Sequence, residues 1–154
     1  LGVTSLADLA PLAPRLVAGG DPEFFARPEW EAVRAAYGLS FARTRNFTPT
    51  FIYNALGAGE ADVISAYTSD GRIAADRLVV LSDPLGALPA YDALLMLGPR
   101  LSDDARLRAA LAPLVGAIDV ETMREANLSV DRSDAAKRTP REAAERLLAA
   151  VGVR

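Results

Sequence analysis

The chain has 154 residues, 51% of them hydrophobic and 24% charged, the make-up of a globular domain that can bury a core. Its formal charge of −3, with 17 basic residues spread among 20 acidic ones, supplies no basic stripe for a nucleic-acid backbone. Cysteine and histidine are both absent, which excludes disulfides, thiolate chemistry, the usual proton carrier near neutral pH and the commonest transition-metal ligand.

Catalysis would therefore fall to carboxylates, Tyr, Ser/Thr, Arg or the single Lys137, and no spacing nominates a facing pair of carboxylates. The chain reads as a non-enzyme without a cofactor. No window approaches the roughly 18 to 20 apolar residues of a membrane span, and LGVTSLADLAPLAPR lacks the pattern of a signal peptide. The chain starts without Met and runs straight into Ser5-Leu6-Ala7-Asp8-Leu9, a short capped helix, and so reads as the middle of a larger protein.

Arg15 to Gly20 reads as a strand ending in a glycine pair, and Asp21-Pro22-Glu23 as a cap with proline in the first helical turn. Pro28 pushes Arg27 out of the helical region. The helix restarts at Glu29 and runs to Tyr37, with Trp30, Val33 and Tyr37 on one face and Gly38 as its stop. Leu39 to Arg43 alternates as a strand. Thr48-Pro49 opens a helix with Phe51, Ile52, Ala55 and Leu56 at helical spacing, ended by Gly57 and Gly59. Ala61 to Tyr67 is the next strand. Short Gly- and Pro-marked joints between alternating strands and helices are the pattern of parallel βαβ units, hence an α/β fold.

Leu78-Val79-Val80-Leu81 and Ala93-Leu94-Leu95-Met96-Leu97 read as two further buried strands. Beyond them, Ser102 caps a helix carrying Leu107, Leu111, Leu114 and Val115, and a shorter helix follows Asp119. Arg132 to Arg138 is a polar linker, and Thr139-Pro140-Arg141-Glu142 forms a capping box over Ala143, Ala144, Leu147, Leu148 and Val151. Phe24, Phe25, Trp30 and Phe51 are assigned to the core.

In open α/β sheets ligands settle at the carboxyl ends of the strands. AYTSDGRI, residues 66 to 73, stands at such an end. By local chemistry alone, Thr68-Ser69-Asp70-Gly71 is a turn closed by its own polar side chains with Tyr67 packed over it. On the same terms Tyr91 is a packed core residue and Arg27 a solvated helix-end charge.

An ordered set of landmarks adds to this. Gly19-Gly20-Asp21-Pro22-Glu23-Phe24 with Arg27, Ala36-Tyr37-Gly38-Leu39, Tyr53-Asn54-Ala55-Leu56, Gly59-Glu60-Ala61-Asp62-Val63, Thr68-Ser69-Asp70-Gly71-Arg72-Ile73 and Leu78-Val79-Val80-Leu81 follow one another. In order and spacing the chain resembles the glycine betaine/choline substrate-binding proteins of osmoprotectant ABC importers. The resemblance implies a type II periplasmic-binding-protein-like fold, with parts of two α/β lobes joined by a hinge. Residues 1–66 would be the second, inserted lobe, and residues 67–154 the hinge return and carboxyl-terminal part of the first. About a hundred more residues would be expected before Leu1. The implied ligand is a quaternary ammonium compound, and the implied partner a permease, in some relatives fused to the binding domain. The implied location is extracytoplasmic, in the periplasm or on the outer face of the membrane.

The resemblance further carries an aromatic-box role onto Tyr67 and Tyr91, because a trimethylammonium group has no N–H to donate and is held by ring faces. It carries a carboxylate-clamp role onto Arg27, whose planar fork makes two charge-assisted bonds, and a supporting contact onto Thr68. Sheet edges left without neighbours would favour a homodimer of the isolated chain. The alternative is a truncated or regulatory fragment that keeps the fold and does not bind ligand by itself.

Overall fold

A computed structural model describes residues 2–152. The chain divides into two compact units, one formed by the segment up to Tyr67 together with Val79–Ala90, the other by Thr68–Leu78 and the segment from Tyr91 onward.

The first unit is built on a three-stranded parallel sheet in the order β2-β1-β3, with β1 at Val17–Gly20, β2 at Arg43–Asn46 and β3 at Val63–Ile64. The ladder between β1 and β3 continues past its assigned ends, since Asp62 N–H donates to Val17 O and Ser65 N–H to Gly19 O, at 2.9 and 3.0 Å. The Asp62 carboxylate accepts from the Val17 N–H at 2.8 Å, which satisfies an amide at the strand's entry. The glycine pair has a packing cause. A Cβ on Gly19 would stand 3.0 Å from Ala61 Cβ and 3.2 Å from both Ile64 and Phe47, and one on Gly20 would stand 2.9 Å from the rings of Phe24 and Phe25. Only a residue without a side chain lets the neighbouring strand and the two rings approach this closely.

Helix α1 (Leu6–Leu9) starts with the expected capping box between Ser5 and Asp8. Helix α2 (Pro22–Ala26) is capped by Asp21, whose carboxylate accepts from Phe24 N–H at 2.8 Å. Arg27 then adopts extended geometry (φ −80°, ψ 146°) and heads α3 (Pro28–Tyr37), one residue earlier than the sequence suggests because Pro28 itself takes the first helical position. Gly38 closes α3 in the left-handed conformation at φ 65°. Trp30, Val33 and Tyr37 line its buried face as expected, and Leu9, fully buried, centres a cluster with Ala13, Leu16, Val33, Tyr37 and Leu39.

Three first-unit expectations need correction. The second strand lies at Arg43–Asn46 rather than Leu39 to Arg43. Leu39 and Phe41 alternate because the connecting loop packs on the core, while the strand itself is a polar edge with every residue exposed. Helix α4 is assigned to Ile52–Gly57, its start reached through a turn from Thr48, and Phe51 is 61% exposed rather than core. Leu78 to Leu81 forms no strand. Val79 and Val80 are exposed, and pairing there is limited to one parallel bridge between Ser5 and Ser82.

That returning segment is anchored by Tyr37. Its hydroxyl donates to Asp83 Oδ1 and accepts from Leu85 N–H at 2.7 Å, while Leu88 N–H donates to Asp83 Oδ2 at 2.7 Å.

The second unit is helical. Helix α5 (Gly71–Ala75) packs on α7 (Val120–Asp131), and α7 on α8 (Pro140–Ala150). Helix α6 is Ala105–Leu111. The cap on α6 is Asp104, accepting from Arg106 and Leu107 N–H at 2.9 and 3.0 Å, whereas Ser102 donates to Pro99 O. Helix α7 follows Asp119 as expected and is capped by it, but with 12 residues it is longer than α6, not shorter. The Thr139–Glu142 capping box opens α8 as expected. Ala93 to Leu97 is not a buried strand: it has no assigned secondary structure, and Leu94, Leu95 and Met96 are 78, 55 and 86% exposed.

Burial pushes the Asp83 carboxyl upward, but its bonds from Tyr37 and the Leu88, Ala87 and Gly86 amides outweigh this and hold it below the usual 3.8. Burial, then the bond to Asp83, holds the Tyr37 phenol above its usual 10.0. A depressed acid stabilises the fold above its unfolded pKa and loses that contribution as pH falls through the folded one. A raised phenol stabilises below its unfolded pKa and loses that as pH rises through the folded one. Thermal unfolding followed between about pH 3 and about pH 11 should therefore show stability falling at both extremes, and Tyr37→Phe should lower the midpoint at neutral pH and flatten both limbs. An unchanged profile in Tyr37→Phe would show that the pair does not hold the returning segment.

Candidate functional site

In the first unit, two of the residues singled out above follow the carboxyl ends of neighbouring parallel strands. Arg27 follows β1 by way of α2, and Tyr67 follows β3. Arg27 heads α3 and ion-pairs with Glu23 one helical turn earlier, and its side chain is 36% exposed. It is therefore a partly exposed charge at the junction of α2 and α3 that already has an acid beside it. Tyr67 is 63% exposed.

In the second unit, Thr68 and Ser69 form a turn, as the sequence suggests, but Gly71 does not complete it: Gly71 opens α5. Its reason is packing. A Cβ there would meet Leu128 N at 2.4 Å and Leu128 Cα at 2.6 Å, so only glycine lets the start of α5 lie against the backbone of α7. Side chains from a distant helix reach the turn as well. The guanidinium of Arg124 donates twice to the Thr68 carbonyl, from Nε at 2.8 Å and Nη2 at 2.6 Å, and Asn127 Nδ2 donates to the Ser69 carbonyl at 2.9 Å. Both lie on α7, more than fifty residues along the chain, and no local pattern around the turn points to them. Thr68 is exposed. Tyr91, at 60% exposure, is not a core tyrosine.

Two clefts open elsewhere on the units. One, about 290 Å³, is lined in the first unit by Trp30, Arg34, Ser40, Phe41, Arg43 and Thr44. The Trp30 ring is stacked with Phe41 at 5.9 Å and has the Arg34 guanidinium 5.7 Å from its centroid. Two arginines stand on its wall, one of them, Arg34, paired with Glu31 at 2.8 Å. The other, about 230 Å³, is a groove between α7 and α8 that includes Met123, Val130, Ala143 and Leu147. None of the four residues Arg27, Tyr67, Thr68 and Tyr91 lines either cleft.

In parallel α/β sheets ligands settle beyond the carboxyl ends of the strands, the end from which β1 and β3 lead on to Arg27 and Tyr67. Residues 1–150 match the family model of the substrate binding domain of the ABC-type glycine betaine transport system, and the chain belongs to that family. It is a family of extracytoplasmic transport domains, not of enzymes. The chain is 29% identical over 132 residues to the carnitine transport binding protein OpuCC of Listeria monocytogenes, covering 84% of this chain and 43% of that protein. It is 30% identical over 145 residues to a glycine-betaine-binding protein of Pseudomonas aeruginosa, covering 85% of this chain and 46% of that protein. A solved structure of a glycine betaine/carnitine/choline ABC transporter superposes with a TM-score of 0.74 at 27% identity, over 96% of this chain and 54% of that one. The chain thus spans about half the length of the relatives it matches. This likeness agrees with a partial type II periplasmic-binding-protein-like fold. Among the described residues, no helix is long and apolar enough to cross a membrane.

The close approach at Gly71 carries its own test. Gly71→Ala should destabilise the second unit by about 1–3 kcal/mol, the cost of overpacking against unyielding backbone. Urea unfolding monitored by amide signals of α5 and α7 reads it directly, and a wild-type midpoint would mean that the two helices are not in contact in solution.

Proposed function

We propose that the chain is part of the solute-binding domain of an ABC importer that captures a quaternary ammonium osmoprotectant, such as glycine betaine or choline, and delivers it to a permease. The observation that carries the reading is the family match along residues 1–150, in a chain whose Tyr67 and Tyr91 are exposed. Tyr67 and Tyr91 offer ring faces to the methylated cation, each worth on the order of 0.5–2 kcal/mol. Arg27 takes the carboxylate of a betaine-like ligand, exchanging its pairing with Glu23 for a two-pronged bond to the ligand. Thr68 adds a supporting polar contact. Residues 1–66 belong to one lobe, and residues 67–154 to the hinge return and the other lobe. The domain works outside the cytoplasm, free, anchored or joined to its permease.

Isothermal titration with glycine betaine, choline and carnitine, and with a sugar as control, tests this. Saturable heat is expected with the quaternary ammonium compounds alone, and Tyr67→Ala and Tyr91→Ala should each weaken binding by about threefold to thirtyfold. Arg27→Lys should weaken betaine and carnitine more than choline, which has no carboxylate. Equal loss for all three would sink the clamp role.

A second reading is favoured by the exposed run Leu94-Leu95-Met96: a truncated or regulatory fragment that keeps the fold and does not bind ligand by itself, acting with a partner chain. In isolation such an exposed apolar run pairs with a second copy. Sedimentation at micromolar concentration should then give a dimer that Leu95→Lys dissociates. A monomer at that concentration excludes it.

A further inference from the structure

Arg124 and Asn127 lie at i and i+3 on α7, so they project from one face of that helix. That face meets the turn Thr68-Ser69, whose two successive carbonyls it takes: the Thr68 oxygen with both Nε and Nη2 of Arg124, the Ser69 oxygen with the amide of Asn127. Gly71 lets this happen, because the Asn127–Leu128 backbone fills the space a side chain would need there. A planar peptide whose carbonyl points at α7 directs its N–H the other way. Three bonds from one helix therefore set the orientation of both peptide planes after Thr68, and with them where the Thr68 side chain can stand. The bonds from Arg124 are charge-assisted, the stronger kind.

We propose that Arg124 and Asn127 are positioning residues of the ligand site: they touch no ligand and hold the Thr68-Ser69 turn in its binding geometry from α7. This rests on the reading of Thr68 as a ligand contact. It goes beyond that reading by assigning the site's rigidity to a helix more than fifty residues away. Order in the turn is then a tertiary property, set by the docking of α5 and α7.

The test is a comparison of the wild-type chain with Arg124→Ala, Asn127→Asp, their double variant and Arg124→Lys. Asn127→Asp keeps the shape and loses the donor; Arg124→Lys keeps a charged donor. Backbone ¹⁵N order parameters at Thr68, Ser69 and Asp70 should fall from the rigid range near ~0.85 to below ~0.6 in the double variant. The thermal midpoint and the order of α7 itself should stay at wild-type values, which a general loss of structure would not allow. Glycine betaine affinity should drop about tenfold or more, the loss of a bond to a charged group, and Arg124→Lys should recover most of both effects. A turn that stays ordered in the double variant overturns the positioning role and leaves the ligand reading standing. A wild-type chain with an ordered turn that takes up no glycine betaine, choline or carnitine overturns the ligand reading, and with it the binding role assigned here.

Discussion

The missing side chains at Gly19 and Gly20 are the constraint on which the first unit depends. β1 is the central strand, so both of its neighbours and the aromatic residues that follow it must come close at its carboxyl end. Any Cβ at Gly19 would press on Ala61, Ile64 and Phe47 at once, and one at Gly20 on the rings of Phe24 and Phe25. With glycine at both places the parallel ladder runs to its end, and Phe24 and Phe25 settle against Trp30 at 5.5 and 5.0 Å. Arg27, at the junction of α2 and α3, inherits its place from that approach.

The second unit uses the same device between helices. Gly71 lets α5 lie on the backbone of α7, and polar side chains of α7 then replace water at the carbonyls of the preceding turn. A turn of Thr, Ser and Asp would ordinarily close on its own hydroxyls and carboxylate. Here three bonds to its carbonyls come from afar. The consequence is that a flexible-looking polar stretch is joined to a helical pair with a packed contact of its own.

Charge sorts the remaining surface. The cleft beside Trp30 has an aromatic wall, the feature a methylated cation seeks, but its ring faces a guanidinium and Arg43 shares the lining. Tyr67 and Tyr91 are tyrosines with more than half their surface exposed. The arginine that the family resemblance marks as a clamp is held by Glu23, an interaction weak enough at an exposed site to be exchanged for a ligand carboxylate.

Local sequence determined the features whose cause is local. The Ser5, Asp21, Asp119 and Thr139 caps, the break at Arg27-Pro28, the stop at Gly38 and the buried stripe Trp30, Val33 and Tyr37 all follow from side chains within a turn or two of where they act. So does the alternation that marks a parallel α/β fold, and the ordered landmarks carried the family. Tertiary structure decided the rest. Apolar periodicity reports burial and not pairing, so Leu39 to Arg43 resembled a strand while the true edge strand, Arg43–Asn46, carried no apolar signal. Leu78 to Leu81 and Ala93 to Leu97 have a strand's composition, but a strand exists only where another offers it hydrogen bonds, and among the described residues these segments join no ladder. Gly71 read as a turn glycine because nothing within reach of the sequence shows the helix that presses on it. Arg124 and Asn127 were invisible for the same reason: a side chain on one helix acquires its role from a carbonyl that only the folded chain brings beside it.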